Sequence, residues 1–199
     1  MLDYLEDLWA RLPDDLRPVD FALRRRYLLG ALQGARTVLD LGCGQGEFTA
    51  ALAADGAQAI GAEVAPTAIE RARRSHPELR FELVPIDGPL PFSDAAFEAV
   101  WAGEVIEHVA DTARWLWEVR RVLAPGGRLL LSTPSHGRLR LLAGGIEQFS
   151  EPLGEHLHLY SARSLQGLLA EFGFLEVRVR GAGGPPGLRR HLLASARRP

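Results

Sequence analysis

From Thr37 onward the chain alternates short runs of apolar and β-branched residues with longer stretches whose apolar positions recur at helical spacing. "TVLDLG", "QAIGAEV", "RFELVPI", "FEAVWAG" and "RLLLSTP" read as strands bounded by turn-forming residues. Between them, "EFTAALAADG" predicts a helix ending at Gly56. "PTAIERARRSH" predicts another, with proline in its first turn and arginines in its last, where the helix dipole favours them. "DTARWLWEVRRVLAPGG" carries the strongest helical pattern. Asp111 stands as N-cap, Trp115, Leu116, Val119, Val122 and Leu123 share one face, and Gly126 and Gly127 end the helix. "SARSLQGLLAEFG" predicts a last helix, and "FLEVRVRG" with "RRHLLASA" a closing antiparallel pair around "GAGGPPG". Strands alternating with helices imply an open, mainly parallel sheet covered on both faces. The expected class is α/β, with seven strands and a C-terminal antiparallel hairpin.

Two stretches fall outside this rhythm. Residues 1–36 carry apolar positions at Leu2, Leu5, Leu8, Trp9 and Leu12 and a second helical run, "FALRRRYLLGAL", so an N-terminal helical cap is expected. Its helices either pack on the edge of the sheet or form a lid over a ligand crevice. Residues 135–160 separate a strand from a helix where connections are usually short. Such length at the strand ends suggests an insertion that covers a substrate.

With 199 residues, 47% hydrophobic and 24% charged, the chain has apolar material for one core and too little length for two, so residues 1–199 are expected to form a single domain. A formal net charge of −2 gives no bulk reason to bind nucleic acid or an anionic membrane, although all 23 basic residues are arginine. The start, "MLDYLED", is acidic where a secretory signal is basic, and no apolar run is long enough to span a bilayer, so a cytoplasmic location is expected. A single cysteine, Cys43, forbids an intrachain disulfide and fits a reducing compartment.

The chemistry begins at "VLDLGCGQGEFTAAL". Gly42, Gly44 and Gly46 follow G-x-G-x-G between a strand and a helix, where glycine lets the backbone turn tightly and approach a ligand. Between Thr37 and Glu70 stand five acids, Asp40, Glu47, Asp55, Glu63 and Glu70, and no basic residue. A pyrophosphate would meet mostly repulsion there, whereas S-adenosylmethionine carries a sulfonium, an ammonium and a ribose diol and no phosphate. Glu63, at the end of the second strand, is placed to accept from ribose hydroxyls. Asp40 either ties down the loop backbone or contacts the ligand, and Cys43 offers its backbone and small bulk, not thiol chemistry.

At "VLDLGCGQG", "GAEVAP", "DGPLPFSDAAFEAV" and "EVRRVLAPGGRLLLSTP" the sequence resembles the class I S-adenosylmethionine-dependent methyltransferases, over roughly residues 36 to 180. The resemblance implies a Rossmann-like, doubly wound sheet and S-adenosylmethionine as cofactor, with S-adenosylhomocysteine as product. It implies that Gly42 and Gly44 contact the methionine moiety, that Glu63, beside Val64, binds ribose, and that Asp87 and Gly88 hold adenine. Ala102 and Gly103 would border the sulfonium.

After the fourth strand, "GEVIEHVAD" sets Glu104, Glu107 and His108 at i, i+3 and i+4, which on a helical turn would share one face. Glu104 would border the cofactor's ammonium, and His108 is a candidate general base. "GEHLHLYS" adds His156 and His158 as catalytic candidates, and alternation on an extended segment allows at most one of them to reach the pocket. Carboxylates and imidazoles together could also gather a divalent metal, as in the metal-assisted O-methyltransferases that the E-x-x-E-H spelling resembles. The expected activity is methyl transfer to a small-molecule acceptor, at oxygen, by a monomer or homodimer. Methylation of RNA and a non-catalytic cofactor-binding scaffold stand as alternatives, the first disfavoured by the overall charge.

Overall fold

The computed structural model describes residues 2–13, 16–32, 34–86, 88–144 and 156–199. Seven strands, β1 (Thr37–Leu41), β2 (Gln58–Glu63), β3 (Arg80–Leu83), β4 (Phe97–Gly103), β5 (Leu123–Pro134), β6 (Leu175–Ala182) and β7 (His191–Arg197), form one sheet in the order β3-β2-β1-β4-β5-β7-β6. Pairs from β3 to β5 are parallel, and β7 runs antiparallel to both β5 and β6. The architecture is the expected Rossmann-like α/β sheet with an antiparallel C-terminal pair. The strand order reverses between β1 and β4, and in such sheets the ligand crevice opens beyond the carboxyl ends of the strands at that point.

Side-chain alternation along the strands divides the interior in two. Val38, Ala99, Trp101 and Leu130 point to one face, where they meet Leu28 and Leu32, at and just beyond the end of helix α2 (Phe21–Ala31), and Phe48 and Leu52 of α3 (Glu47–Ala54). Leu39, Val100, Leu129 and Leu131 point to the other, under Leu116 and Val119 of α5 (Thr112–Val122) and Leu165 and Leu169 of α7 (Ala162–Glu171). Helix α4 (Pro66–Ser75) closes the β2–β3 edge through Ile69 and Ala72.

Helix α5 starts as the pattern predicts, with the Asp111 carboxylate accepting from Arg114 N at 3.0 Å. Its end differs from the expected one. The helix stops at Val122, and Leu123 is already extended and paired with Phe97. Pro125 explains this, because within a helix its ring would clash with the Arg121 carbonyl and its nitrogen could not donate. The freed Arg121 carbonyl accepts from Ala95 N at 2.9 Å instead. Gly126, with φ of +78°, turns the chain inside the long β5 element and ends no helix.

Helix α2 packs on the sheet, whereas α1 (Leu2–Arg11) lies on α4 and over the glycine loop. Ala65, the N-cap of α4, has no side-chain acceptor to offer. Glu6 of α1 supplies one, taking Thr67 N at 3.1 Å and Thr67 Oγ1 at 2.7 Å. The insertion contains a helix the pattern did not predict, α6 (Arg138–Gly144), and its residues 145–155 lie outside the described part.

Candidate active site

A cavity of about 640 Å³ opens at the switch point, beneath α1. Its floor is the loop after β1, where Gly42, Gly44 and Gly46 have φ of +77°, +53° and +93°. A Cβ on Gly42 would stand 2.3 Å from Val105 Cγ2, and one on Gly44 3.0 Å from the Trp9 ring, so the loop needs glycine for space as well as for conformation. The amides of Gly42 and Cys43 donate to Ala62 O at 2.7 and 3.1 Å, which ties the loop to the end of β2.

Glu63 ends β2 at the cavity wall, followed by Val64. Its Oε1 accepts from Val64 N at 2.7 Å and Ala65 N at 3.2 Å, and its Oε2 from Gly44 N at 3.1 Å. Burial pushes this carboxyl above its usual range, and the three amides pull it part of the way back. Asp40 is set below the loop, does not border the cavity, and accepts from Thr49 Oγ1 at 2.6 Å; burial raises it to about 7. Cys43 is buried at the cavity, and desolvation drives its thiol well above its ordinary value. Gly88 and Gly103 line the cavity, Ala102 is buried in the core behind them, and Asp87 lies outside the described residues.

Glu104, Glu107 and His108 are not on a helix, contrary to the pattern. Glu104 takes a left-handed φ of +60°, and residues 106–108 form a turn closed by His108 N donating to Val105 O at 2.9 Å. The reversal sends the two acids different ways. Glu104 accepts from Ser132 Oγ at 2.9 Å and borders the cavity; Glu107 is fully buried, accepting from Thr133 Oγ1 at 2.9 Å. Burial, reinforced by the charge of Glu104, drives Glu107 well above the carboxylate range. Burial alone would raise Glu104 too, but His191 and the Arg24 charge outweigh it and hold that carboxyl low.

The chain returning from the insertion is clipped to this turn, with Leu157 N and His158 N donating to Glu107 O at 2.8 and 3.0 Å. His156 borders the cavity with its ring centroid 5.2 Å from that of His108, while the His158 ring is turned to Val109 O at 2.9 Å and does not border the cavity. Burial first, and then the neighbouring His156, depress His108 to about 4, so it is neutral at physiological pH. Glu107, His108 and His156 have ligand atoms within 4.8 Å of one another. Glu104 and His158 stand outside that cluster.

Residues 4–178 match a family described as a methyltransferase domain. The chain belongs to the class I S-adenosylmethionine-dependent methyltransferases. Over 157 residues it is 34% identical to a Mycobacterium tuberculosis protein named "Probable S-adenosylmethionine-dependent methyltransferase", covering 78% of this chain and 54% of that one. Over 106 residues it is 39% identical to a ubiquinone biosynthesis O-methyltransferase of Xylella fastidiosa, covering 51% and 43%. The chain thus spans about half the length of the curated relatives it matches. Its fold is shared with an S-adenosylmethionine-dependent methyltransferase of Mesorhizobium loti, at 22% identity, a TM-score of 0.72, and coverage of 91% of this chain and 98% of that one.

The methyltransferase site fits the family's cofactor on its own geometry. Acids stand at both ends of the glycine cradle, Glu63 and Glu104, and one oxygen of the nearby Glu107 is buried with no hydrogen-bond partner among the described residues. The arginines at the cavity are Arg24 and Arg114. Arg24 is spent inside the protein, its guanidinium 4.9 Å from the Phe48 ring and its Nε 3.9 Å from Glu104 Oε1. Arg24, at the cavity, and His191, beside Glu104, are residues of the candidate site that sequence reasoning missed. "FALRRRYLLGAL" reads as an amphipathic helix in which any arginine is assumed solvated, and nothing local to "RRHLLASA" signals that its histidine is buried.

Proposed function

We propose that the protein transfers a methyl group from S-adenosylmethionine to a hydroxyl of a small molecule in the cytoplasm. The observation that carries this reading is a neutral imidazole, His108, paired with His156 at the wall of a cavity that Glu63 and the glycine loop also line. When bound, the cofactor supplies an electrophilic methyl on a positively charged sulfur, an already activated leaving group. The glycine loop and Glu104 hold its amino-acid end and Glu63 its ribose, so most of the acceleration comes from alignment. The His108 ring, beside the Glu107 carboxyl 3.7 Å away, would take the acceptor hydroxyl's proton as the methyl leaves sulfur for oxygen, with S-adenosylhomocysteine as the leaving group. Apolar walls from Leu5, Leu8, Trp9 and Trp115 exclude water and suit a flat or aliphatic acceptor. The Xylella relative's name, with its O-methyl transfer in ubiquinone biosynthesis, supports oxygen as the accepting atom.

A second reading has a specific observation behind it. The cluster of Glu107, His108 and His156 is a mixed carboxylate and imidazole set that suits a first-row divalent cation, which would lower the pKa of a coordinated hydroxyl. Turnover of S-adenosylmethionine with a panel of catechols and hydroxyquinones separates the two. Insensitivity to chelator, with a loss of roughly 10²–10⁴-fold in His108→Ala, is expected for the base. Loss with chelator and recovery with Mg²⁺, Mn²⁺ or Co²⁺ identifies the metal. A chelator-insensitive enzyme whose His108→Ala variant keeps full activity overturns both.

A further inference from the structure

His191, the first residue of β7, is buried between two carboxylates from distant parts of the chain. Its Nε2 is 3.0 Å from Asp20 Oδ2 and its Nδ1 3.5 Å from Glu104 Oε1, and Nδ1 has no hydrogen-bond partner among the described residues. An ionised carboxylate only accepts, so Nε2 is the nitrogen that donates to Asp20. Asp20 is itself unusual. It is the N-cap of α2 with a left-handed φ of +51°, yet its carboxylate makes no capping bond and turns to Arg190 Nε and Nη2 at 3.0 and 2.9 Å and to His191. A non-glycine residue in that conformation is uncommon and persists where its surroundings over-determine it.

At the other end of the ring, Ser132 Oγ, Arg24 Nε and His191 Nδ1 all make their closest approach to Glu104 at Oε1. Among the described residues no hydrogen bond to Glu104 uses Oε2, and Glu104 borders the cavity. Ser132 anchors that oxygen by a hydrogen bond, Arg24 and His191 approach it at 3.9 and 3.5 Å, and the second oxygen is left for a ligand. We propose that His191 is a positioning residue that holds Glu104 for the cationic amino-acid end of the cofactor and links it to Asp20 at the base of the N-terminal segment that covers the cavity. This rests on the reading of Glu104 as a cofactor contact.

The test compares two probes by calorimetry, S-adenosylhomocysteine, which has the amino-acid end, and 5′-methylthioadenosine, which lacks it. Glu104→Gln should weaken S-adenosylhomocysteine by about tenfold or more and leave 5′-methylthioadenosine unchanged. His191→Gln should weaken S-adenosylhomocysteine by about three- to tenfold and 5′-methylthioadenosine by less than about twofold. Asp20→Asn, at a half-buried position, should move the same ratio in the same direction, and it carries the decision alone if His191→Gln does not fold. Equal weakening of both probes, or of neither, in the His191 and Asp20 variants overturns the positioning role while Glu104 keeps its own. No discrimination in Glu104→Gln overturns the contact at Glu104 and the proposal with it. A wild-type protein that binds neither probe overturns the methyltransferase reading itself.

Discussion

Glu63→Ala separates ligand contact from scaffold at a residue that serves both. A carboxylate has about four lone-pair sites, and three of these are taken by the amides of Val64, Ala65 and Gly44. A ribose diol brings two hydroxyl donors, so one finds the remaining lone pair and the other competes with one of the longer contacts, Gly44 N at 3.1 Å or Ala65 N at 3.2 Å. A hydrogen bond to a charged group contributes about 1.5–3 kcal/mol. One full bond and one contested bond place the loss near 2 kcal/mol, about thirtyfold in dissociation constant. Stability should change far less. The fold already holds this carboxyl above its usual range through burial, so removing the charge relieves a desolvation cost as the amides lose their acceptor. Water entering from the cavity can take their place, and a net change within about 1 kcal/mol is expected. Titration calorimetry with S-adenosylhomocysteine, with urea unfolding alongside, measures both. A dissociation constant within about threefold of wild type would refute the ribose contact, and destabilisation beyond about 3 kcal/mol would show that the carboxylate is scaffold first.

Asp40 should make the protein less stable as pH rises: its folded value is about 7 against an ordinary 3.8, so between those values the folded chain holds a proton that the unfolded chain releases. The contribution is fully present below about pH 4 and its loss totals about 4 kcal/mol above about pH 7; Asp40→Asn should flatten the urea-midpoint profile, and an unchanged slope counts against the shift. Gly42→Ala combines a left-handed backbone with a Cβ 2.3 Å from Val105 Cγ2 and should cost about 2–5 kcal/mol. Adding Val105→Ala should recover the contact part and not the backbone part, and full recovery would show that conformation is not limiting. Glu6→Ala removes the borrowed cap of α4 and should cost about 1 kcal/mol while speeding protease cleavage near residue 12; equal cleavage rates would mean that α1 is held by its apolar face alone.

Local chemistry made most of the scaffold legible. Period-two runs such as "TVLDLG" and "RLLLSTP" specify strands whatever surrounds them, because alternate side chains must enter opposite layers, as Val38 and Leu39 do. Asp111 caps its helix through a bond to a residue three positions on, a contact that needs no distant partner. The glycine spacing and the acids around it announce a tight loop for a cationic ligand on the same local terms, and membership of the methyltransferase family agrees with that reading. The end of α5 was legible too, since Pro125 forbids further helix, but the apolar face and the two glycines drew the boundary past it.

Only the tertiary structure could settle what depends on approach between remote segments. The spacing of Glu104, Glu107 and His108 says they share a face if the segment is helical, but the left-handed turn at Glu104 gives the two acids different partners at the cavity, Glu104 part-exposed on Ser132 and Glu107 fully buried on Thr133. Burial and the charge of Glu104 raise Glu107, whereas Glu104 is held low by neighbours up to 87 residues away, Ser132 and His191 among them. Arg24, Asp20 and His191 look like ordinary surface residues by composition and become a buried charge network because α2 crosses the sheet beside β7. A charge enters a protein interior only when folding brings its partners to it, and no local pattern records partners that lie 171 residues away.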